Sequence, residues 1–248
     1  MKNKILEKII NKKLNSKSFS DVTYNGLQIE GCKKIKKIIT GVTACQILLD
    51  ISIKYQAQAV IVHHGYFWKN DPRHIYGFTR KRLKTILSNN INLYSWHLPL
   101  DAHLKLGNNA YIQKSLDIHR KNIITPYLWS GNFKKKISGK KLFKKIISIF
   151  KSKPIYINGN KNKKISSVAW CSGKGQHFIL EVIKYKIDCF ITGEISEETT
   201  HYARESNIHF FSVGHHATET GGIKLLSNWL SQKYPNLDIK FINVENPA

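Results

Sequence analysis

The chain alternates strand-like and helix-like segments in the same order twice, and this repetition restricts its fold more than any other feature. Each half contains three short apolar runs, separated by stretches with a helical spacing of apolar side chains. The six runs lie near residues 35–40, 59–64, 91–97, 167–171, 188–192 and 208–213. A β-α-β-α-β-α order is typical of a mostly parallel sheet with helices on its faces. The sequence therefore predicts the α/β class.

The two halves also resemble each other residue by residue. Ile53–Ile61 aligns with Ile183–Ile191 without a gap. Ser88–His97 aligns with Glu205–His215 when one residue is shifted. Two α/β units often look alike by chance, but these matches favour an internal duplication. We therefore predict two related three-layer α/β lobes that face each other.

We place the predicted lobes at residues 1–125 and 126–248, and the C-terminal elements could pack on the first lobe. The polar segment Asp21–Gly31 is expected to form turns, because it contains Asn-Gly and Glu-Gly pairs. Gly41 is expected to lie in a turn that follows a strand. The basic stretch 121–164 contains no motif, and we assign no function to it.

The formal net charge of +24 arises almost entirely from lysine. Arginine occurs only at positions 73, 80, 82, 120 and 204. A nucleic-acid-binding surface more often concentrates arginine and aromatic residues on one face. We therefore favour a compositional bias of the genome over a dedicated polyanion surface, and we expect only weak, salt-sensitive nucleic-acid binding. The positive field should still attract phosphorylated small molecules.

The sequence shows no sign of a membrane or secreted protein. No apolar run approaches the length that crosses a bilayer, and Met1–Leu14 has a helical pattern without a signal-peptide core. Cys32, Cys45, Cys171 and Cys189 lie in or beside apolar runs and show no C-x-x-C spacing. This favours buried, reduced thiols over disulfides or a zinc knuckle. We expect a cytoplasmic protein with no membrane partner.

Histidines and carboxylates collect where the predicted strands end, at the edge of the sheet where ligands usually bind in α/β folds. Seven such side chains are His63, His64, His97, Asp101, His215, His216 and Glu219. Successive side chains on a strand point to opposite faces. We therefore expect the adjacent pair His63 and His64 to straddle a site and to serve two ions.

The spacing of the remaining residues supports the same interpretation. His215 and Glu219 are one helical turn apart at a predicted helix start, so both can face one point. Pro99 interrupts a helix in the first half, so Asp101 is expected to reach the site from a turn. Singly, each residue has an ordinary explanation, as a buried histidine or a helix-capping carboxylate. Jointly, imidazole and carboxylate form a ligand set for Zn, Fe, Mn or Ni, which the sequence does not distinguish.

Five motifs make the sequence resemble the NIF3 family, whose bacterial members are named GTP cyclohydrolase 1 type 2 homologs. They are Asn25-Gly-Leu-Gln28 with Glu30-Gly31, Val62-His-His-Gly65 with Phe67-Trp68, His97-x-Pro-x-Asp101 followed by Gly107-Asn-Asn109, Thr192-Gly-Glu194 with His201, and Gly214-His-His-x-Thr-Glu219. The resemblance runs from about Asp21 to the C-terminus, with Glu194 where many relatives have Asp.

This resemblance implies two α/β lobes, a dinuclear metal centre between them and a toroidal homohexamer. Carried over by position, the ligands of the two divalent ions are His63, His64, Asp101, His215 and Glu219, with Glu219 bridging. His97 and His216 are expected to be further ligands or neighbours of ligands.

The family name implies a hydrolase, such as a GTP cyclohydrolase, that acts on a nucleotide or related heterocycle through a metal-activated water. Glu194 and His201 are then expected to move the proton. Two alternatives stay open: a toroidal nucleic-acid- or partner-binding protein, and a metal storage or delivery protein without turnover. The aromatic run Tyr66–Trp68 could stack a base, but such a run more often fills a core or an oligomer interface.

Overall fold

The computed structural model describes residues 1–160 and 163–248. These residues form two compact units. Unit 1 comprises Met1–Gly107 and Gly222–Glu245, and unit 2 comprises Asn108–Gly221 and Asn246–Ala248. Within the described part of the chain, no helix is both long enough and apolar enough to cross a lipid bilayer.

The described residues contain nine α-helices and eleven β-strands. The helices are α1 (Asn3–Leu14), α2 (Gln46–Lys54), α3 (Gly77–Ser88), α4 (Leu98–Ala102), α5 (Asn108–Ser115), α6 (Gly139–Phe150), α7 (Ile179–Lys184), α8 (Glu197–Glu205) and α9 (His215–Lys233). The strands are β1 (Gly26–Ile29), β2 (Lys37–Thr43), β3 (Ala59–His64), β4 (Asn92–Ser95), β5 (Ile118–Ile123), β6 (Trp129–Ile137), β7 (Ile155–Ile157), β8 (Ile165–Trp170), β9 (Cys189–Thr192), β10 (His209–Ser212) and β11 (Asp238–Phe241).

Unit 1 is built on a five-stranded sheet in the order β1-β4-β3-β2-β11. All neighbours pair in parallel except β1, which lies antiparallel on β4. Alternate residues of the central strands point to opposite faces. One face packs on α1 and α9, and the opposite face packs on α2 and α3. Unit 1 is therefore a three-layer α/β structure, as the sequence predicts.

Unit 2 is built on a six-stranded sheet in the order β5-β6-β8-β9-β10-β7. Strands β8, β9 and β10 are parallel, and the outer strands pair antiparallel. Helices α5 and α6 pack on one face, and α7 and α8 pack on the other. This unit is also three-layered, and the predicted α/β class is confirmed.

The order of elements repeats between the units. The series α1-β1-β2-α2-β3-α3-β4 corresponds to α6-β7-β8-α7-β9-α8-β10, and in both series the first strand pairs antiparallel with the last. Details of the backbone repeat as well. Gln56 and Lys186, which the sequence alignment pairs, both adopt left-handed φ angles of 58° and 52°. Asn90 and Asn207 form a second matched pair, at 49° and 54°. These observations support the duplication inferred from the sequence.

Several local expectations were wrong. The segment predicted to form only turns contains β1, whose Leu27 N–H donates to Glu7 Oε1 at 3.0 Å. Gly41 lies inside β2 rather than in a turn, and its missing side chain makes room for Leu48. Asp101 lies in the short helix α4 rather than in a turn, because Pro99 occupies the first turn, where a helix tolerates proline.

The units divide the chain differently from the predicted lobes of residues 1–125 and 126–248. Residues 108–125 lie in unit 2, since β5 pairs with β6. Residues 222–245 lie in unit 1, since β11 extends the first sheet beside β2. The unassigned middle segment supplies β6, α6 and β7 to unit 2.

Equivalent positions before β3 and β9 carry different side chains, Gln58 and Asp188, which accept equivalent backbone hydrogen bonds. Gln58 Oε1 accepts hydrogen bonds from the Lys36 and Lys37 backbone N–H groups at 3.0 and 2.8 Å. In the repeat, Asp188 Oδ2 accepts from the Ser166 and Ser167 N–H groups at 3.0 and 2.9 Å. A neutral amide and a carboxylate therefore make the same two bonds.

Because Asp188 can be protonated and Gln58 cannot, we expect Asp188 to make a pH-dependent contribution to the free energy of unfolding. Burial favours the neutral acid, but hydrogen bonds from Lys163 and from the Ser166 and Ser167 N–H groups outweigh it and lower the pKa of Asp188. The stabilisation is then present above the unfolded pKa of about 3.9 and is lost as pH falls through the folded pKa. We expect Asp188→Ala to reduce the free energy of unfolding at pH 7 by about 1–2 kcal/mol.

Urea unfolding at pH 7 and in mild acid measures this effect. The free energies of unfolding of wild type and Asp188→Ala should differ less in acid than at pH 7. The decrease in the free energy of unfolding caused by Gln58→Ala should not depend on pH. Equal losses for Asp188→Ala at both pH values would contradict the assignment.

Candidate metal centre

Strand β3 delivers two adjacent histidines to the carboxyl end of the sheet in unit 1. His63 is fully buried, and its Nδ1 lies 3.0 Å from the backbone oxygen of Trp96. A carbonyl oxygen only accepts hydrogen bonds, so Nδ1 must carry the proton and Nε2 presents a lone pair. This nitrogen lies 3.5 Å from Asp101 Oδ2. A lone pair and a carboxylate oxygen that face each other are a fitting arrangement for a cation.

Three histidines of unit 1 converge on one point. His63, His64 and His97 each offer a ring nitrogen, and these nitrogens all lie within 4.8 Å of one another. His64 is the last residue of β3, and its ring centroid lies 4.6 Å from that of His63. His64 Nδ1 also contacts Thr43 Oγ1 at 3.2 Å.

Two residues near the N-terminus fix the position of His97. Its Nδ1 donates to Asp21 Oδ1 at 2.8 Å, and its backbone N–H donates to Asn25 Oδ1 at 2.7 Å. The Asn25 amide and the Leu98 N–H donate to Asp21 Oδ2. Burial alone would raise the pKa of Asp21, but the bonds from His97 and its neighbours lower it to about 2. A carboxylate behind a histidine orients the ring as in many metal sites.

In unit 2, a chain of hydrogen bonds links two carboxylates through one imidazole. Glu194 Oε1 lies 2.6 Å from His215 Nδ1, and His215 Nε2 lies 3.1 Å from Glu219 Oε1. Glu194 follows β9, and the other two residues occupy the first turns of α9, one turn apart. Glu219 is 3 % exposed. A buried carboxylate requires a cationic partner or a proton, because its desolvation is otherwise costly.

The two carboxylates determine the charge of this histidine when no metal is bound. Burial disfavours the protonated imidazole, but the hydrogen bonds and negative charges of Glu219 and Glu194 outweigh it and raise the pKa of His215 to about 9. A site that draws a proton so strongly onto its imidazole is also suited to a divalent cation, which can replace that proton.

Gly173 makes room for the Glu219 carboxylate. Its φ of 59° is left-handed, and a Cβ at this position would overlap Glu219 Oε1 and lie 3.2 Å from His215 Nε2. Its N–H donates to Thr218 Oγ1 at 3.0 Å. The loop after β8 is therefore fitted closely around the first turns of α9.

The remaining predicted residues lie outside these groups. His216 is half-buried in the first turn of α9, where its backbone N–H donates to the Ala248 oxygen at 3.0 Å. His201 is exposed in the middle of α8. Sequence analysis did not assign a role to Asp21, Asn25 or Gly173. Only the Asn25-Gly pair within a recognised motif gave a signal for them, because these contacts join residues far apart in the chain.

The side chains that each unit offers fit a borderline transition-metal ion. The structure supplies imidazole nitrogens and carboxylate oxygens, with buried His63, Asp101 and Glu219 among them. No thiolate belongs to either group among the residues described here. Such N,O ligand sets suit Zn, Fe, Mn or Ni. His63, His97 and His215 also have a second hydrogen bond of the kind that orients metal ligands.

The first prediction from this geometry concerns Asp21. Removing its carboxylate in Asp21→Ala frees the His97 ring to rotate and to change tautomer. Loss of such an orienting partner typically costs about 10–100-fold in metal affinity. Metal titration of the purified variant measures the effect, with Asp50→Ala, an exposed carboxylate on α2, as control. Wild-type affinity in Asp21→Ala would show that His97 does not depend on this contact for its role.

The second prediction concerns Gly173. We expect Gly173→Ala to displace the Glu219 carboxylate and to lower the metal content of the protein. Gly77→Ala is a matched control, because Gly77 also has a left-handed φ of 54° but no atom within 4 Å of the added Cβ. Elemental analysis and circular dichroism of both variants separate loss of metal from loss of fold. Equal metal contents in both variants would contradict the assigned role of Gly173.

Comparison with known proteins agrees with the architecture described here. The family model Duf34/NIF3 (NGG1p interacting factor 3) matches residues 1–247. A protein of Buchnera aphidicola subsp. Schizaphis graminum (strain Sg) named GTP cyclohydrolase 1 type 2 homolog is 60 % identical over 248 residues, which cover 100 % of both chains.

Solved structures give the same result. The structure of protein ybgI, described as of unknown function, is 49 % identical, covers 100 % of both chains and superposes with a TM-score of 0.96. TTHA1606 from Thermus thermophilus is 26 % identical over 100 % of this chain and 99 % of its own, with a TM-score of 0.86. The chain therefore belongs to the DUF34/NIF3 family.

Proposed function

We propose that the protein is a dinuclear metal-dependent hydrolase that acts on a nucleotide or a related heterocycle. The observation that carries this proposal is the orientation of the histidines. His63, His97 and His215 each use Nδ1 in a hydrogen bond to a carbonyl or carboxylate oxygen. In each of them, Nε2 is the ring nitrogen that remains to bind a metal ion. Metal-binding histidines almost always have this arrangement, which fixes the ring and its tautomer.

The proposed ligands are five side chains on three structural elements. They are His63 and His64 at the end of β3, Asp101 in α4, and His215 and Glu219 in α9. His97 adds a further nitrogen beside the first two histidines. Two bound divalent ions would supply Lewis acidity and would lower the pKa of a water molecule towards neutrality.

The chain itself supplies the groups that hold a proton. Glu194 Oε1 bonds His215 Nδ1 at 2.6 Å, and its second oxygen accepts from Gln176 Nε2 at 3.4 Å. Glu194 is half-buried, so it can exchange protons with solvent while it positions the imidazole. We propose Glu194 as the residue that takes up the proton during hydrolysis. His201 is a second candidate, from an exposed position on α8.

The metal content of the purified protein tests the first part of this proposal. We expect about two ions per chain in protein purified without added metal, and a sharp decrease in Glu219→Ala and His63→Ala. His119→Ala, which removes an exposed histidine on β5, should keep the wild-type content. Wild-type protein that contains no metal and takes up none on titration would contradict the proposal.

Turnover tests the second part. Metal-loaded protein is incubated with nucleotides and heterocyclic bases, and ring opening or phosphate release is followed by chromatography. Hydrolysis should stop with chelator, return with metal, and be lost in Glu219→Ala. Full metal occupancy with no hydrolysis of any nucleotide or heterocycle would favour metal storage or delivery instead.

A further inference from the structure

One segment of unit 1 exposes large apolar and arginine side chains together. Thirteen consecutive residues, 69–81, are exposed. Among them Ile75, Tyr76 and Phe78 are 59 %, 64 % and 71 % exposed. Such a concentration of exposed aromatic residues usually marks a binding surface. We call residues 66–82 the arginine–aromatic segment.

The choice of basic residue in this segment differs from the rest of the chain. Arg73, Arg80 and Arg82 are three of only five arginines, in a chain with 40 Lys and Arg residues. A bias towards lysine explains the general positive charge but not this cluster. The planar guanidinium group binds phosphate in a bidentate manner and stacks on aromatic rings, which lysine does not do.

The arginines have no carboxylate partner in the described residues. No ion pair is formed there by any of the three. The guanidinium of Arg82 lies 5.1 Å from the centre of the exposed Phe78 ring, and its Nε is buried without a hydrogen-bond acceptor. The Arg82 cation is therefore held in place by stacking and packing rather than by a carboxylate.

Aromatic rings of the segment are also arranged for stacking. His74 and Tyr76 are stacked with centroids 4.9 Å apart and planes inclined by 9°. Because Tyr76 is mostly exposed, a flat ring can continue this stack. Stacking of this kind suits a nucleobase, since every base has a π-face.

The segment begins beside the histidine group of unit 1. The Trp68 ring lies 5.0 Å from the His97 ring and 6.0 Å from the His64 ring, centre to centre. The start of the segment is held in place, because the Tyr66 hydroxyl donates to the Ala44 backbone oxygen at 2.7 Å. A ligand bound along the segment therefore starts next to candidate metal ligands.

We propose that the arginine–aromatic segment binds the base and the phosphate of a nucleoside phosphate, either a free nucleotide or the end of a single strand. This inference rests on the proposed function in that it assigns the residues that hold the base and the phosphate of that substrate. Charge favours this occupant over a second copy of the chain. The segment carries five Lys or Arg residues against the single acid Asp71, so an anionic ligand matches its charge and the same segment of a second copy does not.

Nucleotide binding to the full-length protein tests the inference without any need for turnover. Calorimetry is performed in EDTA at about 0.15 M salt, which suppresses non-specific charge effects. The probes are ATP, GTP, inorganic triphosphate, guanosine and a ten-residue oligothymidylate. We expect at least one nucleotide or the oligonucleotide to bind more tightly than triphosphate or guanosine alone. Preference for the nucleotides or for the oligonucleotide identifies the source of the ligand.

Variants separate stacking from charge. The double variant Tyr76→Ala with Phe78→Ala should weaken binding about tenfold or more, because it removes two stacking rings. Tyr185→Ala, which removes an exposed ring from unit 2, should have no effect. Arg82→Lys should also weaken binding, although it keeps the charge. Since these side chains are exposed or half-buried, circular dichroism should show an unchanged fold.

Several results would overturn the inference. One is equal affinity of the protein for triphosphate and for nucleotides, together with unchanged nucleotide affinity in the double variant. This result would show that only the positive charge of the segment attracts the ligand. Another is a lower molecular mass of the double variant in light scattering, which would show that a second copy covers the segment. Normal metal content without nucleotide binding would refute this inference alone. Nucleotide binding by a protein that takes up no metal would refute the proposed function alone.

Discussion

The candidate metal ligands of each unit depend on the hydrogen bonds that their histidines make through the other ring nitrogen. A neutral imidazole has one donor and one acceptor nitrogen, and the partner of the donor decides which nitrogen is left for a cation. For His63 that partner is the backbone oxygen of Trp96, the residue that follows β4. Because β3 and β4 are neighbours in register, and the Trp96 N–H bonds the Val62 oxygen at 3.1 Å, the sheet itself selects the tautomer.

Both units use a carboxylate for the same purpose. Asp21 bonds Nδ1 of His97 in unit 1, and Glu194 bonds Nδ1 of His215 in unit 2. In each unit the histidine follows the third parallel strand of the repeated series. The duplication thus supplies two related strand ends, each followed by a histidine and, four residues later, a carboxylate: Asp101 in unit 1 and Glu219 in unit 2. The two histidines at the end of β3 are specific to unit 1.

Local patterns in the sequence were sufficient to predict the parallel strands, most of the helices and the position of the histidines at the strand ends. They were sufficient because a buried parallel strand is a continuous apolar run, and its end is marked by the change to polar residues. Strand β1 was missed because it is only four residues long and because its backbone has distant partners, such as the Glu7 carboxylate that accepts from the Leu27 N–H. The middle strands were missed because β6 carries three successive lysines in its outer half. The contacts of Asp21 and Gly173 join distant parts of the chain, which periodicity does not reveal.

Anomalous diffraction from crystals grown with Zn²⁺ or Mn²⁺ tests the central claim most directly, because it locates the ions and identifies the ligand atom of each histidine. We expect anomalous peaks at a metal–nitrogen distance of about 2.0–2.2 Å from Nε2 of His63 and of His215. Their Nδ1 atoms should keep the bonds to Trp96 and Glu194. Ions bound through Nδ1, or no anomalous peak at either histidine in metal-saturated crystals, would contradict the proposed metal site.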